Sequence, residues 1–434
     1  MQPGSYISFD ARGIKNQSTY WSAREVAERG SNNPFQGNES QAVDEIDRLL
    51  SEAVQMRMAS DVPLGSFLSG GIDSAAVTAL MVEASSTPID TFSIGFEASN
   101  YNEAPYAAAV ANALGTNHHE LTVTAQQAID LIPSLPRIYC EPFADSSQIP
   151  TTLLARLARP SVTVALTGDG GDEVFGGYNR YTHAPRLHKR LRVLPHPARR
   201  LLAWLITRPT MAQYDRAFNA LSRLLPRALT RRPAANTIGK LAQIIASRNL
   251  YEVYHQLTAT SSHTTGLLLS PTSQSSDLDP IGTLDPVRRM MLADMESYLV
   301  GDILTKVDRA TMHSGLEARV PLIDHRVIAF CATLPTTFMI NSSASKKMLR
   351  AVLHRRLPEK LFMRPKQGFG MPVGEWLRGP LRPWAEALLA PKALREGGDF
   401  NPTVVSKLWN SHLRGQHGVT ATLWSILMYR AWQE

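Results

Sequence analysis

Two short segments carry residue types suited to phosphate chemistry. The first is Ser69-Gly70-Gly71-Ile72-Asp73-Ser74. Paired glycines let the backbone turn sharply and come close to a phosphate. The N–H groups of a following helix point at the anion, and the helix dipole assists. Ser69 and Ser74 add hydroxyl donors. The Asp73 carboxylate repels phosphate unless a Mg²⁺ bridges the two. The lysine that marks a Walker A loop is missing. For residues 69–72 alone, an ordinary strand-to-helix turn with an N-capping aspartate is the alternative. The second segment is Thr167-Gly168-Asp169-Gly170-Gly171-Asp172-Glu173. Three acidic residues in a glycine-rich loop are costly unless they hold a cation or a basic partner. The loop is too short for an EF-hand. A metal shared with Asp73 satisfies it; a solvated acidic turn is the alternative.

Both segments need elements to present them. Residues 63–68, 89–96, 118–123 and 161–167 read as strands. They alternate with helical patterns at 41–58, 73–85, 102–114 and 125–138. Such alternation predicts an α/β fold with a doubly wound parallel sheet. Each chemical segment then follows a strand, where open parallel sheets bind ligands. Residues 5–9 alternate like a short strand, and 30–40 read as a linker rich in turn formers. Residues 186–290 lose the strand pattern and read as a helical insertion. Residues 291–434 read as a helical C-terminal part with a glycine-rich loop at 364–374.

Composition narrows the classes. The 434 residues are 44% hydrophobic and 19% charged, ordinary for a globular chain with room for more than one domain. No apolar run reaches the roughly 18 residues of a membrane span, and the N-terminus lacks a secretory pattern. The two cysteines, Cys140 and Cys331, are far apart and form no CxxC pair. Each sits in an apolar or aromatic context and is expected to be core packing. These features predict a cytoplasmic location. The formal charge of +7 is concentrated in Arg186–Arg200 and Arg223–Arg232, where Arg alternates with Leu. We read these as amphipathic helices with solvated faces, and expect neither nucleic acid nor membrane as a partner. His118-His119 on one strand point to opposite faces and make no metal pair. Trp376, Trp384, Trp409 and Trp424 are read as helix packing.

The motifs also carry a resemblance. SGGIDS resembles the pyrophosphate-binding motif of the N-type ATP pyrophosphatases, or PP-loop superfamily. SGGIDS, EPFADSSQIPT (141–151), TGDGGDEVFGGY (167–178), KVDRATMHSGLEARVPLIDH (306–325) and RPKQGFGMPVGEW (364–376) resemble, in that order, the synthetase domain of glutamine-hydrolysing asparagine synthetases. The resemblance covers about residues 41–434 and is weakest across 186–290. It implies a sheet of the adenine-nucleotide alpha-hydrolase type, with a nucleotide-binding core over 41–185. It implies ATP and Mg²⁺ as cofactors. Leu68 and Ile94 are expected to touch adenine or ribose, and Thr167 and Gly168 to contact the nucleotide. Ser69, Gly70, Gly71 and Ser74 are expected to hold pyrophosphate, and Asp73 and Asp172 to bind Mg²⁺. Asp169 matches a position that is often Glu and assists ammonia attack; its shorter reach puts that role in question. Lys366 matches a lysine in a mobile loop that stabilises the adenylate transition state. Arg319 and Asp308 either shape the site or form a structural ion pair.

The implied reaction joins aspartate and ammonia at the expense of ATP, through β-aspartyl-AMP, releasing AMP and pyrophosphate. The departure lies at the N-terminus. The family's enzymes begin with a glutaminase domain whose nucleophile is an N-terminal cysteine; here residue 2 is Gln2. Residues 1–40 read as the end of such a domain plus a linker, so no glutaminase activity is expected in this chain. Free ammonia, a separate glutaminase subunit and a truncated product stay open, as does self-assembly. Two rival readings are amidation of another carboxylate, such as a sugar acid or peptide, and a non-catalytic remnant.

Overall fold

The chain opens with an antiparallel hairpin of β1 (Ser5–Asp10) and β2 (Gly13–Thr19). The sequence GIKNQST of β2 has no apolar alternation, so periodicity passes over it. It is a strand because a tight turn pairs it with β1, not because it buries a face. In this computed structural model the described residues are all but 97–101, 209–234, 260–265, 271–283, 342–343, 363–370 and 417; for 235–238 the backbone alone is described. Helix α1 (Ala23–Asn32) is capped by Ser22, whose side chain accepts from the Glu25 N–H. It takes up the first residues of the expected linker. Helix α2 (Glu39–Met58) starts with a reciprocal capping box between Asn38 and Gln41.

The central sheet follows the expected alternation. It comprises β3 (Leu64–Phe67), β4 (Asp90–Phe96), β5 (Asn117–Val123), β6 (Val164–Leu166) and β7 (Glu317–Arg319). Its order is β5-β4-β3-β6-β7, and every pairing is parallel. The α/β class and the parallel sheet match the sequence reading. β7 is an addition, because a three-residue strand within a region that reads as helical has no length for a period to register. The chain leaves β3 first toward β4 and β5, and later toward β6 and β7. The order therefore switches between β3 and β6, which is where open sheets form crevices.

Helix α3 (Ile72–Ala84) follows β3 and buries eight residues, from Ser74 through Met81. It is apolar on nearly all sides because it is packed on several, and each buried Val, Leu or Met contributes about 1.5–3 kcal/mol by leaving water. The buried Ser66 and Thr78 hydroxyls pair at 2.8 Å, fixing α3 on β3. Helix α4 (Ala104–Leu114) ends at Gly115 in the left-handed conformation. The helix expected over 125–138 is broken at Pro133 into Ala125–Leu131, Ile132–Ser134 and Leu135–Tyr139.

The chain divides into two compact units. One is 1–139, 145–182 and 277–371; the other is 140–144, 183–276 and 372–434. These cut across the segments 41–185, 186–290 and 291–434. The first unit holds the hairpin and the sheet. The second is helical: His196–Thr207 packs on Ala235–Ala246 through Ala203, Ala242 and Ile245. Trp376, Trp409 and Trp424 are buried among its C-terminal helices, and Trp384 lies 6.4 Å from Trp424.

Asp324 ties β3's surroundings to helix His325–Thr333. It accepts from the Arg326 N–H at 3.0 Å and pairs with Arg57 at 2.9 Å and Arg326 at 3.0 Å. Burial raises its pKa, but the two guanidiniums outweigh burial and bring it from 3.8 to about 2. The folded pKa is depressed, so this stability is present above 3.8 and lost as pH falls toward 2. An Asp324→Asn variant should be less stable than wild type at neutral pH in urea titrations. The gap should close across that acid window.

Candidate active site

The loops after β3 and β6 meet. Ser69 Oγ and Ser74 Oγ lie 3.1 Å apart, the Ser69 N–H donates to Ser74 Oγ at 3.2 Å, and the Gly71 N–H donates to Ser69 Oγ at 3.3 Å. These bonds fold the loop back on the first turn of α3. Gly168 presses against that turn: a Cβ there would lie 2.5 Å from Ser74 N. Leu68, Ser69, Gly71, Asp73, Ser74 and Ile94 line one cavity together with Thr167, Gly168 and Asp169. Its volume is about 220 Å³, several times the ~30 Å³ share of one water molecule, so it has room for a ligand. Gly70 (φ +68°) makes the turn and sits outside the lining.

Asp172 also lies outside the lining, but it is joined to Asp73 by a residue that sequence reasoning missed. The Lys346 Nζ is 2.5 Å from Asp73 Oδ2 and 2.7 Å from Asp172 Oδ1. Lys346 is buried and has φ +54°, a left-handed conformation unusual for a side chain of this size. Burial lowers its pKa, yet the two carboxylates outweigh burial and hold it above the ordinary lysine value. A Cβ at Gly177 would collide with Asp172 Oδ1 and Lys346 Cε, which is why that position must be glycine. No alternation or spacing marks Lys346: it reads as one more cation in a basic amphipathic helix start, Lys346-Lys347.

A second buried cluster borders the cavity. Lys306 and Asp169 both line it, and Lys306 Nζ pairs with Asp145 Oδ2 at 3.0 Å. Asp145 also accepts from the Ser147 hydroxyl at 2.6 Å and the Ser147 N–H at 2.9 Å. Burial raises the Asp145 pKa, but Lys306 and Ser147 bring it below the ordinary value. Asp302 is pushed up to about 7, first by burial and then by Asp145. Asp169 is raised by burial despite Lys306. Behind Asp172, the Tyr178 hydroxyl donates to Glu173 Oε1 at 2.6 Å, and burial pushes Glu173 up to about 7. Arg180 stacks 3.7 Å from the Tyr178 ring centre and pairs with Asp294 at 2.8 Å.

The comparisons with known proteins follow this geometry. The family model described as asparagine synthase matches residues 45–434. The chain belongs to the asparagine synthase family. A relative in Mycobacterium tuberculosis, whose name places it among glutamine-hydrolyzing asparagine synthetases, is 33% identical over 396 residues, covering 91% of this chain and 58% of its own length. Glutamine-hydrolyzing asparagine synthetase 1 of Bacillus subtilis is 28% identical over 432 residues, covering 100% of this chain and 64% of its own. Asparagine synthetase B of Escherichia coli is 33% identical over 159 residues, 32% of this chain and 28% of its own. The chain thus spans less than two thirds of the length of these relatives.

Other expectations resolve within this asparagine synthase unit. Lys366 falls in 363–370, outside the described residues. Arg319 donates to the carbonyls of Arg57 and Ala59 at 2.8 and 2.7 Å, capping the end of α2, and pairs with Glu317. Asp308 is exposed and pairs with Arg309. Neither lines the cavity. Cys331 is buried, and burial pushes its thiol up to about 12. Cys140 departs from the expected core role: it is exposed at φ +61° in the helical unit, where its carbonyl accepts from Trp432 Nε1. His118 bonds Thr91 and Ser93, and His119 bonds Asp90, so both ring systems serve the sheet.

Replacing Lys346 with Met leaves two half-buried carboxylates facing each other. Breaking a buried ion pair from one side costs about 3–5 kcal/mol. The Lys346→Met protein without nucleotide should show that loss in chemical denaturation at neutral pH. Like charge raises one carboxyl pKa, so the loss should shrink on acidification as that group takes a proton. A deficit that is the same at neutral and mildly acidic pH would refute this account of the cluster.

Proposed function

We propose that this chain forms an amide from a carboxylate, ATP and ammonia, with aspartate as the carboxylate. The observation that carries the reading is the convergence of Asp73 and Asp172, each at the start of a helix that follows its strand, on one cationic point beside a hydroxyl-lined anion loop. Among the described residues no group of three His, Cys, Asp or Glu side chains is placed to hold a metal. Two carboxylates aimed at one point are a donor set that would hold Mg²⁺. When bound, the ion neutralises phosphate charge.

The chain's own residues account for the steps. Leu68 and Ile94 give an apolar seat for the base. The Ser69 and Ser74 hydroxyls and the amides at the start of α3 hold the β- and γ-phosphates, with Lys346 as a further donor. The substrate carboxylate attacks the α-phosphorus, the bond to the β-phosphate oxygen breaks, and pyrophosphate leaves. Ammonia then attacks the acyl carbon and AMP departs with the electron pair of the acyl–oxygen bond. The raised carboxyl of Asp169 lies on the cavity wall and takes a proton from the attacking nitrogen. The family resemblance gives Lys366 the role of stabilising charge on the adenylate transition state. Lys306 and Asp145 supply one cation and one acceptor, which suits the α-carboxylate and α-amine of an amino acid.

Pyrophosphate release should require ATP, Mg²⁺, aspartate and an ammonium salt together, and Asp73→Ala should lower it by roughly 10²-fold or more. MgATP should also raise the Tm of the wild type. A Tm rise without aspartate-dependent release would shift the acyl substrate to another carboxylate. Absence of any Tm rise would sink the ATP reading.

A further inference from the structure

One surface of the helical unit goes beyond the sequence reading. Residues within 186–200 read as amphipathic, with a polar face in solvent. Helix His196–Thr207 instead has two apolar sides. Its inner stripe is Arg199, Ala203 and Ile206: Ala203 and Ile206 pack with Ala242 and Ile245, and Arg199 Nη1 donates to the Ser247 carbonyl at 2.6 Å. Its outer stripe is Leu201, Trp204, Leu205 and the following Arg208, at i, i+3, i+4 and i+7. Leu201 is 58% exposed, Trp204 47% and Leu205 51%. Val193, just before the helix, is 83% exposed. A surface helix ordinarily turns polar residues to this side.

Exposed cations flank the stripe in sequence. Arg186, Lys189, Arg190, Arg192, Arg200 and Arg208 are all exposed. No Asp or Glu occurs from residue 183 to 208. The Arg208 guanidinium lies 3.9 Å from the centre of the Trp204 ring, so charge and apolar surface are contiguous.

We infer that this face docks on an anionic lipid surface, with helix His196–Thr207 lying in the plane of the interface. The leucines enter the boundary of the acyl chains, Trp204 sits at headgroup level, and the cations meet lipid phosphates. A nucleic acid would neutralise the cations but leave Leu201 and Leu205 in water. A second copy of this face would bring like charges together. At 12 residues the helix is about 18 Å long, short of the ~30 Å hydrocarbon thickness. No described helix is long and apolar enough to span. The docking is therefore peripheral, and it does not depend on the chemistry proposed for the cavity.

The test is co-sedimentation of the full chain with phosphatidylglycerol vesicles, with phosphatidylcholine vesicles and duplex DNA as parallel arms. The wild type should partition onto the anionic vesicles and not the zwitterionic ones. Leu201→Glu combined with Leu205→Glu should reduce that partition roughly tenfold or more. Arg190→Glu with Arg192→Glu should also weaken it and flatten its salt dependence. All four positions are exposed, and an unchanged Tm for each variant confirms that the loss is one of docking. No partition onto anionic vesicles, equal partition of the Leu201/Leu205 variant, or retention by DNA alone would each overturn the inference.

Discussion

Two carboxylates at the ends of neighbouring strands cannot share a buried space without a cation between them. That constraint organises the first unit. Asp73 stands one residue into α3, behind β3, and Asp172 stands in the short helix behind β6. Lys346 reaches both from a third segment, in a backbone conformation that nothing local favours. Gly177 gives up its side chain so that the lysine stem can pass, and Gly168 does the same for the two loops. The surrounding layer is tuned to hold this arrangement: Glu173 is held by Tyr178, and Arg180 spans Tyr178 and Asp294.

A different balance governs the other end of the cavity. There Lys306 is outnumbered by acids, with Asp145, Asp302 and Asp169 around it. Burial disfavours every one of these charges, and Lys306 reaches only some of them strongly. Asp145 stays ionised and Asp302 is raised toward neutrality. Lys346 is thus balanced by two carboxylates, whereas Lys306 leaves one of the acids around it raised.

Much of this was legible in the sequence where local rules and tertiary packing agree. The order of β3, α3, β4, α4 and β5 follows from apolar runs punctuated by Gly and Pro, and the two glycine-rich loops announce themselves by composition. What escaped did so for physical reasons. β2 is polar because it is paired but not buried, and β7 is too short for a period. Lys346 is defined by two contacts across more than 170 residues, and spacing cannot encode those. Lys306 and Asp145 lay inside motifs already noted, but only their pairing across the fold singles them out from their neighbours. The exposed apolar stripe of His196–Thr207 went unmarked, because periodicity reports that a face is apolar and not what it meets.

The order in which the chain is synthesised gives the lysine a further consequence. Asp73 and Asp172 emerge from the ribosome early, β7 only with residue 317, and Lys346 later still. Between them the whole of 183–276 must be made, and it belongs to the other unit. A nascent chain can therefore pair β3 with β4 and β5 while its acidic loops still face water. Closing the first unit waits for a segment made after the whole of 183–276. Until then the partly built sheet has an open side at β6, so its most hazardous interval, for aggregation or for capture by a chaperone, is the time taken to translate the inserted helices.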